Sequence, residues 1–138
     1  MAERVATIDL GSNSCVLLVL ERRNGQLHVV DSRLQITRLS QGLDQEKKLA
    51  PKAIKRSVNA LREFTNHARE LGVTTIAAVG TAALREATNA DLVIDQAAQF
   101  GLNLRAISGE DEAALSFRSL FDGTTKDAAL MIDVGGAS

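Results

Sequence analysis

The order of strand-like and helix-like segments constrains the fold of this chain more than any other feature. Three runs rich in β-branched and apolar residues come first, at 4–10, 15–22 and 26–38. The turn at 11–14 separates the first two runs, and the pair Asn24-Gly25, typical of a tight hairpin, separates the last two. The runs therefore predict an antiparallel meander of three strands.

The rest of the chain alternates between helical and strand-like patterns. Pro51 suits the first turn of a helix, and apolar residues then recur at steps of three and four up to Gly72, which is typical of a helix C-terminus. We expect Asn89 to cap a later helix that ends near Phe100, and Ser108 to cap another. The remaining expected elements are strands at 74–79, 102–107 and 128–134 and a helical turn at 81–86. A meander followed by this alternation predicts an α/β fold with flanking helices, in which the meander and the strands at 74–79 and 102–107 form a mixed five-stranded sheet.

Composition limits the classes of partner. The 138 residues carry a formal net charge of −1 and only 3% aromatic residues, so neither nucleic acid nor an anionic membrane is an expected partner. The single cysteine, Cys15, cannot form an intramolecular disulfide and is expected to be a small buried apolar residue. The apolar run at 15–20 is too short to span a membrane, and no signal peptide is visible. A cytoplasmic location is the expectation.

One short motif occurs twice. Residues 8–14 read IDLGSNS and residues 132–138 read IDVGGAS. Each places an aspartate near the end of an apolar strand, then a glycine, two small or polar residues and a serine. Glycine permits positive φ and close approach of the backbone, and successive peptide N–H groups then form a concave site for an anion. The predicted phosphate-binding residues are Gly11, Ser12, Asn13, Ser14, Gly135, Gly136 and Ser138.

The aspartates of the two motifs, Asp9 and Asp133, are candidate metal ligands. A carboxylate at the end of a strand can hold a divalent cation, directly or through water, and the cation neutralises phosphate charge. A single unit of this kind is more often only a tight turn. Two matching units favour loops that clamp one polyphosphate from both sides. His28 and His67 have no ligand-like spacing and receive no metal role.

The doubled loop resembles the two phosphate loops of the actin, hexokinase and heat-shock chaperone ATPase superfamily. That superfamily carries two ribonuclease-H-like domains that face each other across a cleft. The resemblance implies that residues 1–125 form the N-terminal ribonuclease-H-like domain. It also implies that residues 126–138 are the first strand and phosphate loop of a second domain, which the chain contains only in part.

Four motifs in order resemble the exopolyphosphatase and guanosine-pentaphosphate phosphohydrolase family. They are IDLGSNS at 8–14, GTAALREATN at 80–89, ISGEDEA at 107–113 and IDVGGAS at 132–138. The resemblance implies hydrolysis of the terminal phosphoanhydride bond of polyphosphate or guanosine pentaphosphate, with Mg²⁺ as cofactor and a homodimer as the full-length assembly. This chain alone is expected to be inactive, because it holds only part of the active site.

The resemblance also implies two catalytic residues. Glu112, the last acid of ISGEDEA, matches the glutamate that orients or deprotonates the attacking water, and Arg85 matches an arginine that binds phosphate oxygens. The helix dipole favours a negative charge equally at Glu110, Asp111 and Glu112, so by itself it does not identify which of them is catalytic. Ala137 stands where the family usually has a third glycine, which puts the exact shape of the second loop in question.

Two other functions fit the same loops. A kinase of the acetate or sugar type would transfer the phosphoryl group to an organic acceptor, and phosphate release without an acceptor would distinguish hydrolysis from transfer. A nucleotide-sensing module would bind tightly with negligible turnover. The preference between polyphosphate and guanosine pentaphosphate is not readable from these residues.

Overall fold

The computed structural model describes residues 2–43 and 45–120. The expected strand at 128–134 and the second motif, with Asp133, Gly135, Gly136 and Ser138, lie outside the described residues. The division of the chain at residue 125 therefore stays a prediction.

The described elements form one five-stranded sheet with helices, as predicted. In chain order they are β1 (Arg4–Leu10), β2 (Ser14–Arg23), β3 (Gln26–Ile36), α1 (Pro51–Glu70), β4 (Thr75–Gly80), α2 (Ala82–Glu86), α3 (Asp91–Gln99), β5 (Leu104–Ala106) and α4 (Gly109–Leu120). The strand order is β3-β2-β1-β4-β5, with the meander antiparallel and β1, β4 and β5 parallel.

Two predicted turns have the backbone conformation that their residues favour. Asn24 and Gly25 both have positive φ, at 52° and 80°, as the tightest hairpin turns require. Gly72 ends α1 with a φ of 77°, a left-handed conformation that costs other L-residues about 1–2 kcal/mol. These turns fix the register of the meander and the exit of α1.

The core lies on one face of the sheet. In β1, the buried residues Ala6, Ile8 and Leu10 alternate with the exposed Thr7 and Asp9. The buried side packs against α1, whose apolar stripe is buried at the predicted spacing, and α3 packs on α1 and β5. Asp9 therefore lies on the opposite face. Cys15 is fully buried, as expected.

The prediction that Asn89 caps α3 is wrong. This helix begins at Asp91, and Ala90 is its N-cap without a side-chain hydrogen bond. The Asn89 amide instead bonds the backbone of Leu49, just before α1: Oδ1 accepts from the Leu49 N–H at 2.8 Å, and Nδ2 donates to the Leu49 carbonyl at 3.2 Å. The side-chain oxygen that a cap would use thus accepts from the Leu49 N–H instead.

None of the described helices is long and apolar enough to cross a membrane.

Candidate active site

Asp9 lies near the carboxyl end of β1, where two parallel strands end together. It is in register with Val16 of β2 and Val79 of β4. The next residue, Leu10, accepts a hydrogen bond from the Thr81 N–H at 3.2 Å, which ties the end of β1 to the start of the α2 segment. In open α/β sheets, ligands bind at the carboxyl ends of the strands. The loop after β1 and the turn after β4 therefore border one candidate site.

The loop between β1 and β2 is closed by a hydrogen bond from the Gly11 N–H to the Ser14 carbonyl at 2.9 Å. Gly11 does not use positive φ, although that was one predicted reason for glycine here. The other reason holds, because a Cβ at Gly11 would lie 3.3 Å from the Ser14 carbonyl oxygen. A glycine here avoids a tight contact between the loop and its own backbone.

The segment at 37–40, which follows β3, holds this loop in place through hydrogen bonds to its carbonyl groups. The Ser12 carbonyl accepts from the Ser40 N–H at 3.0 Å and from its hydroxyl at 3.2 Å. The Asn13 carbonyl accepts from the N–H groups of Thr37 and Arg38 at 3.0 and 2.9 Å. Arg38 adopts a left-handed conformation, with φ of 49°. This support was not predicted, because its residues contribute mainly backbone groups, which leave no signal in residue type; the Ser40 hydroxyl is the exception.

Two N–H groups of the loop have no partner among the described residues. Both loop carbonyls are engaged, whereas the N–H groups of Ser12 and Asn13 donate to no oxygen of a described residue. Unsatisfied successive N–H groups in a turn are the donors of a phosphate-binding nest. The loop at 11–14 thus offers two donors of the kind that such a site requires.

Glu112 is held at the start of α4. The Ser108 hydroxyl accepts from the Asp111 N–H at 3.0 Å, which confirms Ser108 as the cap, and the Glu112 N–H donates to the Ser108 carbonyl at 3.0 Å. In the same strand-to-helix connection, the Ile107 N–H donates to the Gly80 carbonyl at 3.0 Å. These bonds fix the first turn of α4 beside the carboxyl end of β4.

Arg85 links the elements on which the site is built. Its Nη1 donates to Glu112 Oε2 at 3.1 Å and to the Ile107 carbonyl at 3.0 Å. Both side chains of the Arg85–Glu112 pair are about one-third exposed, at 31% and 35%. Nε and Nη2 of Arg85 bond no described residue, and neither does Glu112 Oε1. One edge of each group is therefore open to a ligand.

Electrostatics places Asp9 in the same site. The pKa of Asp9 is raised above its ordinary 3.8. The larger cause is partial loss of hydration, and the smaller is the negative charge of Glu112, although the Asp9 side chain still reaches solvent. Burial, and then the charge of Asp9, raise the pKa of the Cys15 thiol to about 12, so this thiol is not a nucleophile. The structure thus brings together Asp9, Arg85 and Glu112.

The donor set partly fits a magnesium ion. Within residues 2–43 and 45–120, no group of three or more His, Cys, Asp or Glu side chains could hold a metal. Asp9 and Glu112 nevertheless form a carboxylate pair whose mutual repulsion a cation would relieve. Magnesium is commonly held by one or two carboxylates together with substrate phosphates and water. Asp9 together with substrate oxygens and water would be a donor set of that kind.

The chain is similar in sequence to a known phosphatase family. The Ppx/GppA phosphatase family model matches residues 18–138. A guanosine-5′-triphosphate,3′-diphosphate pyrophosphatase of Aliivibrio fischeri is 34% identical over 140 residues, which cover 100% of this chain and 28% of the relative. The protein of the same name from Aeromonas hydrophila is 37% identical over 139 residues, covering 96% and 27%. The chain thus spans little more than a quarter of these relatives, at 27–28% of their length.

Solved structures show the same fold. An exopolyphosphatase from Cytophaga hutchinsonii superposes with a TM-score of 0.83 and 27% identity, over 86% of this chain and 38% of that one. A Ppx/GppA family protein from Aquifex aeolicus gives 0.81 and 28%, over 87% and 40%. The predicted α/β, ribonuclease-H-like fold is confirmed by these similarities.

Proposed function

The chain belongs to the Ppx/GppA phosphatase family, and from this premise we propose that its full-length protein hydrolyses terminal phosphoanhydride bonds and releases orthophosphate. The substrates are inorganic polyphosphate, guanosine pentaphosphate or both. The observation that carries the proposal is the Arg85–Glu112 pair, which lies at the carboxyl ends of the strands beside Asp9 and the loop at 11–14.

Each group in the site has a separate task. The N–H groups of Ser12 and Asn13 receive the oxygens of the terminal phosphate, helped by the Asn13 and Ser14 side chains. Arg85 fixes Glu112 with Nη1 and directs its free Nη2 toward negative charge that develops during transfer. A bound Mg²⁺ would supply charge neutralisation, and Asp9 would hold it. The residues of the second loop, Gly135, Gly136, Ser138 and Asp133, are proposed to grip the same phosphates from the other side.

Glu112 is proposed as the general base. Arg85 occupies Oε2, so Oε1 is the oxygen that can orient a water molecule and accept its proton. The water oxygen forms the new bond to the terminal phosphorus, the bridging P–O bond breaks, and the shortened phosphate chain leaves with the electron pair. Positioning and charge stabilisation account for most catalysis of this kind.

The cellular setting of the enzyme is also a proposal. We infer a cytoplasmic homodimer, supported by the family resemblance, and the net charge of −1 gives no reason to expect nucleic acid as a partner.

The proposed function is tested with the full-length protein and Mg²⁺. Phosphate release is compared for long-chain polyphosphate and guanosine pentaphosphate, with no organic acceptor present. We expect release from at least one substrate, and chelation of the metal should abolish it. Consumption of the substrate only in the presence of an organic acceptor, with the phosphoryl group recovered on that acceptor, would identify a phosphotransferase instead. Tight binding without turnover would identify a sensing module.

A further inference from the structure

A cavity adjoins the candidate active site. It has a volume of about 440 Å³ and lies between β5 and α4. Its lining includes Arg105 of β5, Arg118 of α4 and Asp111, which directly precedes Glu112. Ile107 also contributes to the lining, and its carbonyl binds Arg85. The cavity and the candidate active site therefore share a wall.

The sheet register places the cavity on the face that carries Asp9. Arg105 is in register with Val79, and Val79 is in register with Asp9. Neighbouring strands lie 4.7–4.9 Å apart, so Arg105 originates about 10 Å from Asp9 along a single row of the sheet. In α4, Asp111 and Arg118 are seven residues apart, which places them on one side of the helix, toward the cavity.

The two arginines have no internal partner in the part of the chain that is described. Neither the Arg105 nor the Arg118 side chain forms an ion pair or hydrogen bond with residues 2–43 or 45–119. With Asp111 as the acidic group in the lining, the cavity has a positive excess. The candidate site itself carries two carboxylates, Asp9 and Glu112, so a polyanion needs cations nearby that are not already occupied.

We propose that Arg105 and Arg118 form a second anion subsite, which binds a substrate phosphate remote from the one that is cleaved. This proposal rests on the proposed function. Guanidinium groups bind phosphate oxygens in a bidentate manner. Because two strand spacings separate Arg105 from Asp9, a single orthophosphate in the active site does not also fill the subsite. A substrate with several linked phosphates can reach it, so the subsite selects for chain length.

Equilibrium binding to the chain tests the subsite without requiring turnover. Long-chain polyphosphate, pyrophosphate and orthophosphate are titrated into the unaltered chain and the variants Arg105→Gln and Arg118→Gln. The matched control is Arg22→Gln, which alters an exposed arginine at the far end of β2 whose side chain also bonds no described residue. Each subsite variant should bind long-chain polyphosphate about tenfold more weakly. The two short ligands, which contact only one of the two sites at a time, should lose less, and binding to the control should be unaffected.

Three results would overturn the proposal. They are no binding of long-chain polyphosphate by the unaltered chain, equal loss in Arg22→Gln, and equal loss for orthophosphate. In the full-length enzyme, the subsite predicts a higher KM for long polyphosphate with kcat nearly unchanged. A full-length protein that binds polyphosphate through Arg105 and Arg118 but hydrolyses neither polyphosphate nor guanosine pentaphosphate would refute the proposed function and leave the subsite intact.

Discussion

At the scale of single residues, the site depends on three charges held close together. Arg85 carries the positive charge between two elements, and Asp9 and Glu112 carry negative charges on the same side of the sheet. The repulsion between the carboxylates is an unfavourable feature that a folded protein retains where a cation or substrate compensates for it. The coupling between Asp9 and Glu112 is therefore the property to measure first.

We expect Glu112→Gln to lower the pKa of Asp9, because it removes a negative charge that favours the protonated form. The pKa should remain above 3.8, since loss of hydration is the larger cause and is unchanged. Titration of the carboxyl carbon by NMR measures this value. Glu110→Gln is the control. An Asp9 pKa that is identical in both variants and the unaltered chain would mean that Asp9 and Glu112 do not share a site.

The raised pKa of Asp9 also makes the free energy of unfolding depend on pH. A group whose folded pKa lies above its unfolded value contributes stability below the unfolded pKa, 3.8, and loses that contribution as the pH rises through the folded pKa. Asp9→Asn should therefore increase the free energy of unfolding at neutral pH, with a smaller change in acid. Urea unfolding at the two pH values measures this difference, and Asp95→Asn on the exposed side of α3 serves as control. A loss of stability at neutral pH in Asp9→Asn would contradict the assignment.

At the scale of elements, the position of Arg85 depends on how α2 packs on β4. Gly80 ends β4, and a Cβ there would lie 2.3 Å from Leu84 Cδ2 and 3.0 Å from Leu84 Cβ. The absence of a side chain at Gly80 lets α2 turn immediately onto the sheet, with Leu84 buried and Arg85 directed to Glu112.

Gly80→Ala should destabilise the chain by about 1–3 kcal/mol through overpacking. Adding Leu84→Ala should cost less in this background than in the unaltered chain, because the clash disappears. Gly109→Ala is the matched control, since its nearest added contact would be 4.0 Å away. Denaturant unfolding gives the free energies of unfolding of the unaltered chain, the two single variants, the double variant and the control. Strict additivity of the Gly80 and Leu84 changes would contradict the packing described.

Asn89 joins the starts of α1 and α3, and Asn89→Ala should destabilise the chain by about 1–3 kcal/mol, because two backbone groups of the buried Leu49 lose their partner. Gln99→Ala, at the exposed end of α3, should change stability by less than about 0.5 kcal/mol. Thermal and denaturant unfolding provide the comparison. Similar effects of the two substitutions would refute the two-point bond.

Local patterns predicted the elements well and long-range partners poorly. The meander, α1 and the cap at Ser108 depend on residues that are close together in the sequence, so their spacing predicts them directly. Asn89 bonds a residue 40 positions away, and its residue type is equally suited to a cap. Motif resemblance suggested a catalytic role for Arg85 and for Glu112 separately. Their contact was not predicted, because it depends on the sheet topology that brings the two residues together.

At the scale of the whole molecule, ion pairs at the edges of the fold make the free energy of unfolding depend on pH in the acidic range. The buried Glu21 accepts from Arg23 and Arg4, which hold its pKa below 4.5, and Arg4 also donates to the Leu71 carbonyl at 2.6 Å at the end of α1. The bond from His67, at 2.5 Å, and then Arg33 hold the pKa of Asp31 below 3.8. These contacts join the meander to α1.

Stability should fall as the pH drops below these ordinary values, because a depressed folded pKa gives stability that is present above the unfolded pKa and is lost as the folded pKa is passed. Glu21→Gln should lower stability at neutral pH and flatten its decline in acid. Urea unfolding across that range measures both effects. A parallel pH profile for the variant and the unaltered chain would contradict the role of Glu21.

The central claim, that this chain carries the catalytic base of a phosphoanhydride hydrolase, is tested most directly by phosphate release from the full-length protein. Glu112→Gln keeps the size and the hydrogen-bonding reach to Arg85 and removes the base, so kcat should fall by about 10²–10⁴-fold with little change in substrate affinity. Glu110→Gln, two residues earlier in the same helix turn, should be much milder. Equal effects of the two substitutions, or undiminished release by Glu112→Gln, would contradict the claim.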